Sequence, residues 1–298
     1  MLSILIPVYN YDAFSLVKEL AVQCKCIGIN FEILCQDDAS NSELNKENEK
    51  INSLENCFFI SLNTNLGLSA NRNLLASKSK YQNLLFIDGD AVIIDEDYIW
   101  KNLENSENSD IIYGGRIHPL KVDADRQKLR WKYGRLVEDK TASQRNSAKY
   151  KTLLFHNTWI KKECFNQIKF DSALTQYGHE DTLFAFEASK LNLKIKHIDN
   201  PVEHAAIDES AVYISKVKNS LQNLLILDQK KKIDPDFVKI LKLFYFLKKF
   251  KLHYVASLFY RLFNRIIYRQ LCSENPSLLL LNLYKISYLC ALQFNSTQ

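Results

Sequence analysis

The chain has 298 residues, enough for one large α/β domain with an appendage or for two domains. Its 47% hydrophobic and 24% charged residues are ordinary globular values, which argues against a disordered or fibrous chain. The net charge of +5 is split unevenly: residues 206–298 carry fourteen Lys and Arg against six Asp and Glu, so they stand at +8 and residues 1–205 at −3. Seven cysteines, an odd number with no C-x-x-C pair, argue against a disulfide framework and predict reduced thiols in a cytoplasm. Met1 leads directly into Leu2-Ser3-Ile4-Leu5-Ile6-Pro7, so no signal peptide is expected. With no uninterrupted apolar run of about 18 residues, no membrane span is expected either.

Apolar residues 2–8 predict a first strand, ending at Pro7 before the turn Tyr9-Asn10-Tyr11-Asp12. Leu16, Val17, Leu20, Ala21 and Cys24 then recur at helical spacing. Residues 31–35 predict a second strand that runs into Asp37-Asp38-Ala39-Ser40; polar residues 41–56 read as helical, and 57–62 as a third strand. A helix over 69–79 leads to Leu84-Leu85-Phe86-Ile87, a buried strand that delivers Asp88-Gly89-Asp90 onto a tight turn. Strands alternating with helices predict a parallel sheet. Neither G-x-G-x-x-G nor G-x-x-x-x-G-K occurs, which argues against dinucleotide and P-loop chemistry. A helix around 98–103 and a strand at 110–113 follow, then a long polar stretch over 119–151 that reads as a loop around Arg130, Trp131 and Arg135. Gly178-His179-Glu180-Asp181 precedes a helix over 182–190, and a strand at 194–198 leads to Pro201-Val202-Glu203-His204.

Two carboxylates one residue apart at the end of a strand suit a hard divalent cation that keeps positions open for phosphate. Ligands of α/β sheets also bind at the carboxyl ends of strands. Asp37-Asp38 and Glu180-Asp181 stand at similar places, and His204 follows a strand. A nucleotide sugar needs a base-and-ribose pocket, a cation at its diphosphate and a general base for the incoming hydroxyl. A purely structural reading stays open for each pair. Asp37-Asp38 could end a strand with Ser40 capping the next helix, and Glu180-Asp181 suits a helix N-terminus.

In order, Ile4-Leu5-Ile6-Pro7-Val8-Tyr9-Asn10, Asp37-Asp38-Ala39-Ser40, Asn65-Leu66-Gly67 with Arg72-Asn73, Asp88-Gly89-Asp90, Tyr177-Gly178-His179-Glu180-Asp181 and His204 resemble the motifs of inverting family 2 glycosyltransferases. The resemblance covers residues 2–204, about two-thirds of the chain. It implies an α/β GT-A fold: a Rossmann-like, mostly parallel central sheet flanked by helices over 1–205, with a helical C-terminal extension over 206–298. It also implies that Pro7, Tyr9, Asp37 and Asp38 border the nucleobase and ribose, and that Arg72 meets the base or diphosphate. Asp88 would lie on the sugar side, and Asp90 with His204 would hold Mn²⁺ or Mg²⁺. Asp181, backed by Glu180, would deprotonate the acceptor. One departure stands out: His179 replaces the Gly common before the family's Glu-Asp.

The expected donor is a nucleotide sugar, with UDP the nucleotide by family frequency. The expected acceptor is a glycan or lipid-linked glycan of a surface polysaccharide, lipopolysaccharide or capsule. In the tail, an apolar face through Leu258, Leu262 and Ile266 lies beside Arg261, Arg265 and Arg269. Residues 237–270 therefore read either as a basic amphipathic surface for the inner face of a cytoplasmic membrane or as a cap on the catalytic domain. No nucleic-acid partner is expected. Two rival readings carry their own discriminators. A two-metal nuclease or phosphatase would cleave nucleic acid with metal, and a non-catalytic nucleotide-binding scaffold would show no turnover at all.

Overall fold

The computed structural model describes residues 1–122 and 124–295, with side chains to residue 293. These residues fall into two compact units. The first comprises Met1–His118, Asp139–Thr175 and Glu180–Ala206; the second comprises Pro119–Glu138, Gln176–His179 and the chain from Ile207 onward.

The first unit begins with β1 (Leu2–Val8), α1 (Phe14–Ile27), β2 (Phe31–Asp37), the short α2 (Asn45–Asn48), β3 (Cys57–Ser61), α3 (Leu68–Lys78) and β4 (Asn83–Ile87). Next come β5 (Ala91–Ile93), α4 (Tyr98–Glu104), β6 (Ile111–Tyr113) and β7 (Arg116–Ile117). After α5 (Lys128–Tyr133), which belongs to the second unit, follow α6 (Ala142–Asn146), β8 (Asn157–Lys161), α7 (Lys162–Ile168), α8 (Glu180–Lys190), β9 (Ile195–His197) and β10 (Val202–His204).

Among the described residues, seven strands form the main sheet in the order β3-β2-β1-β4-β8-β6-β9. The pairs β1–β2, β1–β4, β2–β3 and β6–β9 are parallel, whereas β8 runs antiparallel to both β4 and β6. Every residue of β1 is buried, as a central strand covered on both faces requires. Leu2, Ile4, Ile6 and Val8 pack with Val17, Leu20 and Cys24 of α1 and with Ile33 and Cys35 of β2. Val8 pairs with Asp37 at the carboxyl ends of β1 and β2, and Asp88 follows β4 at the same end. Five phenylalanines close the other flank: the Phe86 ring lies 5.4 Å from Phe155 and 5.2 Å from Phe165, and Phe170 lies 5.1 Å from Phe184.

A smaller sheet, β5-β10-β7, sits beside this core. Its antiparallel β10–β5 pair sets His204 opposite Ala91, the residue after Asp90.

The second unit is helical. It contains α5, α9 (Ser210–Gln229), α10 (Lys239–Lys249), α11 (His253–Leu271) and α12 (Leu278–Asn295). Leu241, Phe244, Leu271, Leu281 and Leu289 are buried in it. Among the described residues of 119–151, residues 125–138 and Ala142–Asn146 are helical rather than an open loop. Trp131 Nε1 donates to the Pro119 carbonyl at 2.8 Å, and Arg130 pairs with Glu138 at 3.0 Å, so its charges lie in ordered helical structure. Charge pairing had given this segment the composition of a loop.

Candidate active site

The Asp88-Gly89-Asp90 turn is seated by its smallest residue. A Cβ on Gly89 would come 2.9 Å from Cγ2 of Val8 and 3.2 Å from the Pro7 carbonyl, so only glycine lets the turn press onto the end of β1. The Asp88 amide donates to the His156 carbonyl at 3.3 Å, and the Ala91 amide closes the turn onto the Asp88 carbonyl at 3.1 Å.

Arg72 joins the two halves of the constellation. One terminal nitrogen donates to Asp88 Oδ1 and the other to Asp181 Oδ1, both at 2.9 Å. Its side chain is 2% exposed, against 33% for Asp88 and 15% for Asp181. The guanidinium also lies 5.2 Å from the centre of the Phe170 ring, a low-dielectric wall that strengthens both ion pairs. Its burial opposes the charge, but Asp181, Asp88 and Glu180 outweigh that and raise its pKa. Burial, with Asp90 and Asp181 nearby, raises the Asp88 carboxyl despite Arg72.

Asp181 lies in the first turn of α8 and Glu180, buried, opens that helix. The Phe155 amide donates to Asp181 Oδ2 at 3.0 Å. Each carboxylate oxygen keeps a second lone pair, so Asp181 is oriented from both sides and can still accept a proton.

Asp37 and Asp38 divide their work. Asp37 is fully buried, and its Oδ2 accepts from the Ser40 amide, Asn45 Nδ2 and Ser61 Oγ at 2.9–3.0 Å. Burial would raise its carboxyl, but these hydrogen bonds hold it below the usual range. Asp38 clamps the 65–67 turn: the amides of Leu66 and Gly67 donate to its two oxygens at 2.8 and 2.9 Å. Pro7 is buried at the end of β1, and Tyr9 is exposed.

His204 Nε2 stands 3.1 Å from Asp90 Oδ2. Two ligands at right angles around an ion with bonds of about 2.1 Å would stand about 3.0 Å apart. Asp90 and His204 are therefore spaced so that they could hold one Mn²⁺ or Mg²⁺ together. Among the described residues no third His, Cys, Asp or Glu completes a protein-only site. Burial would raise the Asp90 carboxyl, but the hydrogen bond and charge of His204, together with Arg116, hold it below the usual range.

Two histidines beside the site were invisible in the sequence. His118 Nδ1 bonds Asp139 Oδ1 at 2.6 Å, and its ring lies 5.4 Å from that of His204. His156 meets the Tyr113 hydroxyl at 2.9 Å. Burial, with Arg116, His204 and Arg72 around it, pushes the His156 pKa well down and keeps the ring neutral. Both depend on contacts between distant segments, so no local pattern signals them.

Residues 3–170 match the sequence model of Glycosyl transferase family 2. Among solved structures, S. aureus TarS 1–349 in complex with UDP-GlcNAc is 16% identical over 100% of this chain and 92% of that chain, with a TM-score of 0.53. Mannosyltransferase PcManGT from Pyrobaculum calidifontis, in complex with GDP-Man and Mn²⁺, is 14% identical over 99% of this chain and 86% of that chain, with a TM-score of 0.56. A further S. aureus TarS structure is 20% identical and has a TM-score of 0.52; 75% of this chain aligns, spanning 39% of that longer one. No curated protein sequence matches the chain. The structural likenesses concern the fold, while the family model spans more than half of the sequence. The chain belongs to glycosyl transferase family 2 and is a glycosyltransferase.

Proposed function

We propose that this glycosyltransferase moves a sugar from a nucleoside diphosphate, UDP in the first instance, to a hydroxyl of a glycan or lipid-linked glycan. The transfer would invert C1, use Mn²⁺ or Mg²⁺, and serve the synthesis of a surface polysaccharide or lipopolysaccharide. One observation carries the reading: a single buried guanidinium holds both the donor-side Asp88 and Asp181 at 2.9 Å. The turn that bears Asp88 thereby shares an anchor with a base candidate.

Pro7, Tyr9 and Asp38 border the base and ribose in this reading, and Asp37 positions them from beneath. Asp88 faces the sugar. Asp90 and His204 hold the cation, which when bound supplies charge neutralisation at the diphosphate. Asp181, with Glu180 behind it, takes the proton of the acceptor hydroxyl. The freed oxygen bonds C1 as the bond from C1 to the diphosphate oxygen breaks, and that electron pair leaves with the nucleoside diphosphate on the opposite face.

An anionic membrane surface suits the second unit. Val255, Leu258, Leu262 and Ile266 form one stripe along α11, and the last three are 55%, 63% and 64% exposed. Arg261, Arg265 and Arg269 lie exposed on the same helix. No helix among the described residues is long and apolar enough to cross a membrane. A helix lying in the interface, basic side chains toward anionic headgroups, accounts for both features. A lipid-linked acceptor at the inner face of a cytoplasmic membrane would then be within reach.

Melting of the full chain with UDP-, GDP- and dTDP-sugars, with and without Mn²⁺, tests the donor. Saturation at 100 times Kd stabilises a protein by about 2.7 kcal/mol, which a melting curve resolves easily. One nucleotide sugar should raise Tm, more so with Mn²⁺; no shift with any of them would sink the proposal.

A further inference from the structure

The second unit encloses a cavity of about 600 Å³. Tyr133, Tyr177, Tyr213 and the charged Lys285, Lys239 and Glu138 line it together with aliphatic side chains of α9, α10 and α12. Its wall is firmly held. Asn223 Nδ2 donates to the carbonyls of Gln176 at 2.9 Å and Gly178 at 3.0 Å, fastening the 176–179 segment to α9. Gly178 has φ +107, and a Cβ there would come 2.3 Å from that of Ser220, so only glycine permits this approach.

Lys285 is the unusual member. Its ammonium lies 4.2 Å from the centre of the Tyr133 ring. Among the described residues no carboxylate forms an ion pair with it, because the nearby Glu138 is engaged by Arg130 at 3.0 Å. Burial lowers the lysine to about 8, with Glu138 opposing and Arg130 adding to the effect. Burial, with Lys285, also lowers His179 to about 4, so near pH 7 the imidazole adds no second positive charge beside the ammonium. A buried cation whose nearest carboxylate already pairs with an arginine is costly to hold, and a bound anion would offset that cost. Tyrosine walls offer flat apolar faces and hydroxyl edges, the surfaces that a sugar ring presents in complement. A largely apolar cavity with a few convergent polar groups is the usual form of a small-molecule site.

We propose that this cavity binds a pyranose bearing an anionic substituent, with Lys285 on the anion and Tyr177 and Tyr213 against the ring. That this sugar belongs to the acceptor rests on the transfer reading above; its binding here does not. In sequence, His179 of the cavity wall stands two residues before Asp181.

The full chain without donor is titrated by calorimetry with methyl glucuronide, glucose 6-phosphate, methyl glucoside and inorganic phosphate. At least one anionic sugar should bind about tenfold or more tightly than methyl glucoside, and Lys285→Met should remove that advantage. Whether the glucuronide or the phosphosugar wins identifies the anion. Equal binding of neutral and anionic sugars, phosphate as tight as glucose 6-phosphate, no binding of any probe, or an unaffected Lys285→Met would each overturn the proposal. The wild-type series needs no variant, so a misfolded Lys285→Met cannot mask the answer. Nucleotide-sugar melting shifts in the same preparation read the transfer proposal separately.

Discussion

Arg72 and Asp181 meet at 2.9 Å across 109 positions of chain, and the same guanidinium holds Asp88. Truncating Arg72 leaves two carboxylates facing each other with their shared counter-charge gone. Arg72→Met should destabilise the chain by about 3 kcal/mol, toward the lower end for broken buried pairs because Asp88 is partly open. Urea unfolding measures it. Arg72→Lys should recover little, since one ammonium cannot fork to two carboxylates as a guanidinium does.

Asp181→Asn keeps the shape but removes the proposed base, and its one amide oxygen can accept from only one of Arg72 and the Phe155 amide. Turnover should fall by about 10²–10⁴-fold while the melting shift with nucleoside diphosphate is retained. A variant that keeps normal turnover would remove Asp181 from the chemistry.

Removing one member of the Asp90–His204 pair tests the cation. His204→Ala should weaken Mn²⁺ binding in the presence of UDP by about 10–100-fold, read by electron paramagnetic resonance of free Mn²⁺. Chelation should abolish the extra melting shift that Mn²⁺ gives the wild type. Unchanged Mn²⁺ affinity in His204→Ala would exclude the imidazole as a ligand.

Lys285 makes stability depend on pH. Between about 8, its folded value, and its ordinary 10.5, the unfolded chain holds a proton that the folded chain lacks. Stability contributed by this group therefore rises with pH across that window, and below it the fold carries the full cost, up to about 3 kcal/mol. Lys285→Met should be the more stable protein at pH 7, with the gap closing toward pH 10. Parallel stability curves for the two proteins would contradict this account.

The α11 stripe predicts membrane binding. Wild-type protein should sediment with vesicles containing phosphatidylglycerol and much less with phosphatidylcholine alone, and salt should weaken the interaction. Leu262→Glu with Ile266→Glu should abolish sedimentation. Salt-independent self-association instead would mean that the stripe joins two copies of the chain.

Much of the first unit was legible in the sequence because its signals are local. β1, β2 and β4 are largely apolar runs that end at Val8, Asp37 and Ile87, just before Asp88, and α1 keeps its buried face at helical spacing. The antiparallel insertion of β8 was not, since the mixed five-residue segment Asn157–Lys161 carries no sign of direction. Nor was the clamp of Asp38 on Leu66 and Gly67, a contact across 28 and 29 positions that leaves no periodic trace. His179 is a different case. It sits at φ 67, a left-handed conformation that favours glycine. That is a physical reason for glycine to be common at this place in the family, and this chain accepts strain there to put an imidazole in the cavity wall.

A ladder of three residue pairs, with the Ala205 amide on the Asp90 carbonyl, fastens β10 to β5 and sets His204 beside Asp90. Sliding one strand past the other by a single residue would turn the imidazole to the opposite face of the small sheet. One inserted or deleted residue near Ala91 or His204 could thus disconnect the ring from the carboxylate while both side chains survive. Dependence on a cation would then be a trait that a descendant of this chain could lose or regain by a change in loop length, with its fold and its acids intact.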